Sequence, residues 1–177
     1  GGRIRSQTPI GEGAASVASV AVELARKIFG SLAGRQVMIL GAGATAELVV
    51  GALERDGIRG LVVSNRTYER AQELAGKLSG KAVHFDEMPF ALADTDVLVA
   101  STAAPHPLVT LDGFRQAMGG GRARPLLILD LAIPRDVESA VGGEANVFLY
   151  NVDDLREIVD DNLLVRRASV SDAEAIV

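Results

Sequence analysis

The chain of 177 residues contains no cysteine and no tryptophan, only two histidines, and 4% aromatic residues. Without cysteine there is no disulfide framework, no thiolate metal site and no thiol nucleophile. His84 and His106 are too few and too far apart in sequence to suggest a metal centre. No catalytic and no metal-ligating residue is therefore assigned from the sequence. With so few rings the core must be aliphatic, as buried parallel strands usually are. Positive charge is not in excess either: the formal net charge is -5, which argues against a surface that coats nucleic acid. No secretory signal is visible at the start. The stretch "AASVASVAVELA" carries Glu23 and is too short and too weakly apolar to span a membrane. A cytoplasmic protein without membrane contact is the expectation.

What is present is 48% hydrophobic and 23% charged residues, enough to bury a sizeable core in one domain with some length left over. There is no internal repeat, and "GGGRAR" at 119–124 is the most flexible-looking loop. Pro9, Gly11 and Gly13 suggest that residues 1–12 are irregular. From Ala14 to Phe29 apolar residues recur at helical spacing (Val17, Val20, Ala21, Leu24, Ile28), up to a stop at Gly30. Six short apolar runs then follow: "RQVMIL", "LVVS", "KAVHF", "DVLVA", "PLLILDL" and "NVFLY". Helical patterns separate most of them, including "ATAELVVGALERDG", "TYERAQELAGKL" with Thr67 as N-cap, a short "DEMPFALAD" broken by Pro89, and "TLDGFRQAM". Alternation of this kind predicts an α/β fold of the Rossmann type. The expected core is a doubly wound parallel sheet of about six strands in order 3-2-1-4-5-6, with ligand at the switch between strands 1 and 4. An N-terminal helix and the start of a long C-terminal helix flank it. The latter carries a stripe of Leu155, Ile158, Val159, Leu163, Val170, Ala173 and Val177 behind Asp153 and Asp154, which favour a helix N-terminus.

Strand 1 meets its helix at "GAGATA", Gly41, Ala42, Gly43, Ala44, Thr45 and Ala46. Gly41 allows a tight turn, Gly43 lets backbone approach a pyrophosphate, and Ala46 allows close helix–strand packing. Free N–H groups at the helix start favour anions. Small residues at such a turn also serve packing, and the surrounding βαβ series is what favours a nucleotide. A site for NAD places an acid at the end of strand 2. Here Ser64, Asn65, Arg66 and Thr67 stand there instead. Asp56 precedes that strand and Glu69 lies within the next helix, so neither is a rival ribose ligand. An arginine able to pair with a 2′-phosphate, with polar neighbours able to donate to it, points to NADPH. The alternative is a solvated Arg66 beside a threonine cap.

Strand 4 leads into "STAAPHPL", where Ser101, Thr102 and Ala103 would let a nicotinamide ribose lie close to backbone. His106 reads either as an acid–base group or as a surface histidine between prolines. Asp130, at the end of strand 5, reads either as a site residue or as a cap for the following loop. Pro134, Arg135 and Asp136 look like a turn into a helix with Asp136 as N-cap. His84 reads as packed or half-exposed. There is no G-x-S-x-G, no P-loop and no paired-carboxylate site.

Together these blocks resemble the glutamyl-tRNA reductase family. "SQTPIGEGAASVASVAVELARKIFG", "GAGATAE", "SNRTYERA", "STAAPHPL", "DLAIPRDVE" and "VFLYNVDDLREIVDDNL" stand in that family's order, from about Arg3 to Leu163. Thr45 departs from it, since a bulky apolar residue is commoner there, and altered packing over the loop is the expected consequence. The resemblance implies a cysteine-bearing N-terminal domain that forms a thioester from glutamyl-tRNA, and NADPH as hydride donor releasing glutamate-1-semialdehyde for tetrapyrrole biosynthesis. It also implies a homodimer held through the long helix, and an aminomutase as a partner that takes the aldehyde. On this reading residues 1–30 are a linker and helix from the catalytic domain. Residues 31–152 are the NADP(H)-binding domain, and residues 153–177 begin the helix leading to a dimerisation domain. Glutamyl-tRNA is then bound through the domains outside this chain, and the chain alone is inactive. A shikimate-dehydrogenase-like NADP domain and a non-catalytic nucleotide-binding or dimerisation module are the alternatives.

Overall fold

The computed structural model describes the backbone of residues 2–176 and the side chains of residues 13–169. Six strands form one sheet: β1 (Gln36–Gly41), β2 (Gly60–Asn65), β3 (Lys81–His84), β4 (Val97–Ser101), β5 (Leu126–Asp130) and β6 (Val147–Asn151). Their order is β3-β2-β1-β4-β5-β6, and every pairing is parallel. The crossovers are α2 (Ala44–Arg55), α3 (Tyr68–Lys77), α4 (Met88–Ala93) and α5 (Leu111–Met118), and a 3-10 turn at Ser139–Gly143 precedes β6. Long helices α1 (Gly2–Phe29) and α6 (Val152–Ile176) flank this frame.

The apolar runs lack a two-residue alternation because both faces of the sheet are covered. Val37, Ile39, Val63, Val99, Leu127 and Leu129 point to the side of α1, α2, α3 and α6. Met38, Leu40, Val62, Leu98, Ala100 and Ile128 point to the side of α4 and α5. Alanines 18, 21 and 25 on α1 are buried, so that helix packs closely on α2. On α6, Leu155 is buried and Leu163 is 44% exposed. Val170, Ala173 and Val177 lie outside the residues whose side chains are described. Among the described residues, no helix is long and apolar enough to cross a membrane.

Several local expectations change. Helix α1 begins at Gly2 rather than after Gly13. Adding a turn to an existing helix costs far less than nucleating one, so Pro9 and Gly11 weaken it without ending it. Pro89 does not break α4 but sits in its first turn, where its missing N–H has no intrahelical partner to lose. Thr67 stands at the N-cap of α3, yet its side chain makes no capping bond; its backbone N–H instead donates to Asn65 Oδ1 at 3.3 Å. Loop 119–124 is pinned by Arg122, only 9% exposed. Its guanidinium donates to the carbonyls of Ala93 (3.1 Å) and Arg124 (2.9 Å), and to that of Thr95. At α6, Asn151 and Asp154 cap each other's backbone N–H groups, both at 2.9 Å, a reciprocal box one turn wide.

Candidate functional site: the glycine turn and the cavities on either side

Gly41 ends β1 with φ +97°, a conformation that L side chains rarely adopt. A Cβ there would lie 2.5 Å from the backbone carbonyl oxygen of Ser101. Gly43 follows as N-cap of α2 with φ -118°, which any residue adopts. A Cβ on Gly43 would meet the Ser101 hydroxyl, which can rotate away. The two glycines therefore differ: Gly41 is required by backbone strain and backbone contact, Gly43 only by space. Gly41→Ala is expected to cost about 2–4 kcal/mol, the sum of left-handed strain and overpacking. Gly43→Ala should cost no more than about 1–2 kcal/mol while filling the approach to the α2 N-terminus. Urea denaturation of both variants checks this, and equal losses would refute the distinction.

No side chain caps α2, so the first-turn N–H groups of Ala44, Thr45 and Ala46 keep their donor capacity. Ala46 is fully buried beneath them. Glu47, whose charge would oppose an anion in this turn, is paired with Lys77 Nζ at 3.1 Å.

A cavity of about 360 Å³ opens from Gly41 and Ala42 toward the end of β2. Asn65, Arg66 and Thr67 line it, joined by Arg70 and Phe85. The Arg66 guanidinium lies 5.9 Å from the centre of the Phe85 ring. Neither Arg66 nor Arg70 forms an ion pair among the described residues, and no carboxylate lines the cavity. Ser64 is not part of this lining: it is fully buried within the sheet, and its hydroxyl has no partner among the described residues. Ser64 stands beside Leu40 in the sheet, but its complete burial keeps it out of the lining. Arg70 and Phe85 are site residues that the sequence analysis missed. Arg70 carries a readable signal, standing four residues after Arg66 in the first turn of α3. Phe85 carries none, since only the β2–β3 pairing brings it there.

Ser101, Thr102 and Ala103 form the opposite wall. The Thr102 hydroxyl donates to Asp136 Oδ1, and the Thr102 N–H donates to Asp136 Oδ2 at 2.8 Å. Asp136 is fully buried and starts no α-helix, contrary to the N-cap expectation. Asp130, 1% exposed, lies beneath. Its Oδ1 accepts from the N–H of Ala132 (3.1 Å) and Asp136 (3.2 Å), and its Oδ2 from Val137 N–H (3.0 Å). Burial pushes its carboxyl above the ordinary value, with these three N–H groups pulling the other way. Asp130 is thus the loop brace of the two expected alternatives and does not line either cavity. His106 is exposed in a bend and has no polar partner among the described residues. His84 is exposed too, and stacks on Tyr68 with ring centres 3.7 Å apart.

On the other side of the turn lies a cavity of about 640 Å³. Gly43, Ala44, Thr45 and Ser101 form one wall, the Leu131–Ile133 loop another, and α1 and α6 close it. No cluster able to hold a metal ion occurs among the described residues.

Residues 23–158, most of the chain, match the sequence profile of shikimate / quinate 5-dehydrogenase. The chain belongs to the shikimate / quinate 5-dehydrogenase family. Curated relatives similar to it in sequence include glutamyl-tRNA reductases. The enzyme of Methanopyrus kandleri is 46% identical over 100% of this chain and 44% of its own length. That of Solidesulfovibrio magneticus is 41% identical over 99% of this chain and 39% of its own. This member of the shikimate / quinate 5-dehydrogenase family therefore spans less than half the length of the relatives it matches. The solved Methanopyrus kandleri structure superposes with a TM-score of 0.82, covering 98% of this chain and 44% of that one. The nucleotide-binding domain of the Thermoplasma volcanium glutamyl-tRNA reductase shares the fold at 20% identity, with a TM-score of 0.64 over 85% of this chain and 96% of that one.

Proposed function

We propose that this chain is the NADPH-binding domain of a glutamyl-tRNA reductase, presenting the hydride donor to a glutamyl thioester that is reduced to glutamate-1-semialdehyde. The observation that carries the cofactor choice is the pair of guanidinium groups, Arg66 and Arg70, on a cavity that no carboxylate lines. The residues present fit a phosphorylated dinucleotide. Two cavities meet at the Gly41–Gly43 turn, where the uncapped N–H groups of α2 would hold a pyrophosphate. When bound, NADPH would supply a hydride, which carries both electrons of the reduction.

The chain's own residues bind and orient. Arg66 and Arg70 pair with the 2′-phosphate, and Arg66 and Phe85 cover the adenine. The start of α2 holds the pyrophosphate, and Ser101–Ala103, braced through Thr102 by Asp136, keeps the ribose side close to backbone. In the whole enzyme the thiolate nucleophile and the tRNA-binding surface belong to another domain, α6 leads toward a homodimer contact, and the product passes to an aminomutase in the cytoplasm. The family match also admits a shikimate-type dehydrogenase. The agreement along 99–100% of this chain with glutamyl-tRNA reductases, at 41% and 46% identity, favours the first reading.

The chain is expected to bind NADPH at least tenfold more tightly than NADH. Arg66→Ala should remove one charge-assisted bond to phosphate, about 1.5–3 kcal/mol, and so weaken NADPH by about ten- to a hundredfold. NADH should be much less affected. Calorimetric titration of both cofactors into both proteins checks this. Equal affinities in the unsubstituted chain would sink the assignment.

A further inference from the structure

Arg66 and Arg70 answer the 2′-phosphate at one end of the cofactor. The pyrophosphate carries two further negative charges. The α2 N-terminus offers it only partial positive charge, roughly half an elementary charge. The cavity beyond the glycine turn is closed by α1 and α6, which lie outside the alternating frame that makes a dinucleotide fold. Helix α6 brings one cation to that wall, Arg156, in its second turn. Arg156 is exposed and forms no ion pair among the described residues. Asp160, one turn further along the same wall, forms no ion pair with it among the described residues. An arginine facing a cavity shared with the bare first turn of a 12-residue helix suits an anion held from both sides, and the planar guanidinium suits phosphate oxygens.

We propose that Arg156 is a binding residue for the nicotinamide-side phosphate of the cofactor, reaching it from α6 across the cavity from Ala44 and Thr45. This rests on the NADPH reading above. It makes α6 part of the cofactor site, so the long helix and the bound dinucleotide are tied by a charge-assisted contact.

Separate titrations with NADPH, reduced nicotinamide mononucleotide and 2′,5′-ADP test the assignment by halves. Arg156→Gln should weaken NADPH and the mononucleotide about tenfold, as the loss of one charge-assisted bond implies, and leave 2′,5′-ADP unchanged. Arg156→Lys should recover part of the loss. Asp160→Asn, which removes a negative charge from the same wall, should not weaken either ligand. Unchanged NADPH affinity in Arg156→Gln overturns the proposal, and so does an equal loss of NADPH and 2′,5′-ADP, which would mark a general structural effect. If the unsubstituted chain bound neither NADPH nor 2′,5′-ADP, the cofactor reading itself would fall, a result distinct from a silent Arg156.

Discussion

Asp130→Ala is expected to unfold the domain at a much lower urea concentration than the unsubstituted chain. Three buried backbone N–H groups, those of Ala132, Asp136 and Val137, lose their acceptor together. Each orphaned donor costs about 1–3 kcal/mol, and the combined loss should reach about 3–5 kcal/mol, since shared relaxation keeps such terms from adding fully. Against a typical stability of about 5–15 kcal/mol that is a large fraction. Asp130→Asn separates the acceptor from the volume. Its amide oxygen can still serve Ala132 and Asp136, but its NH2 group faces the Val137 N–H, donor against donor. An intermediate loss is therefore expected. If Asp130→Ala and Asp130→Asn both unfolded with the unsubstituted chain, the brace would carry no weight. The consequence for the site is indirect, because the Asp136 carboxylate that holds Thr102 is positioned by the loop that Asp130 organises.

The second large effect is an absence of turnover. Saturated with NADPH and mixed with glutamyl-tRNA, the chain by itself should release no semialdehyde. Thioester formation needs a thiolate, and the sequence has no cysteine. A net charge of -5 also disfavours unaided binding to a polyanion. Nicotinamide absorbance and aldehyde release, followed together, provide the measurement. Stoichiometric NADPH oxidation with semialdehyde formation would show that the chemistry resides here, and the division between nucleophile domain and hydride domain would be wrong.

Sequence alone determined the class of fold and its strand order. Those follow from local signals that survive without tertiary information: apolar runs of strand length, helical periodicity between them, and the right-handed crossover that parallel strands impose. It also determined where the glycine turn sits and that no acid ends β2, because both are statements about residue identity at a strand end. Only the tertiary structure decided which of the polar residues there reach the cavity. Ser64, adjacent to Asn65 in sequence, is kept out of the cavity by burial, and Phe85, just past β3, is brought to it by sheet pairing. Likewise Asp130 reads as either a site residue or a cap for its loop, and Asp136 as a helix cap. Their actual roles depend on the loops after β4 and β5 meeting each other, a contact between residues 34 positions apart. Nor is Arg156 visible as a site residue in sequence. Only the packing of α6 against α1 places it on a cavity shared with the glycine turn. The division has one physical cause. Backbone conformation is set largely by neighbours along the chain, whereas a binding cavity is a place where distant segments meet.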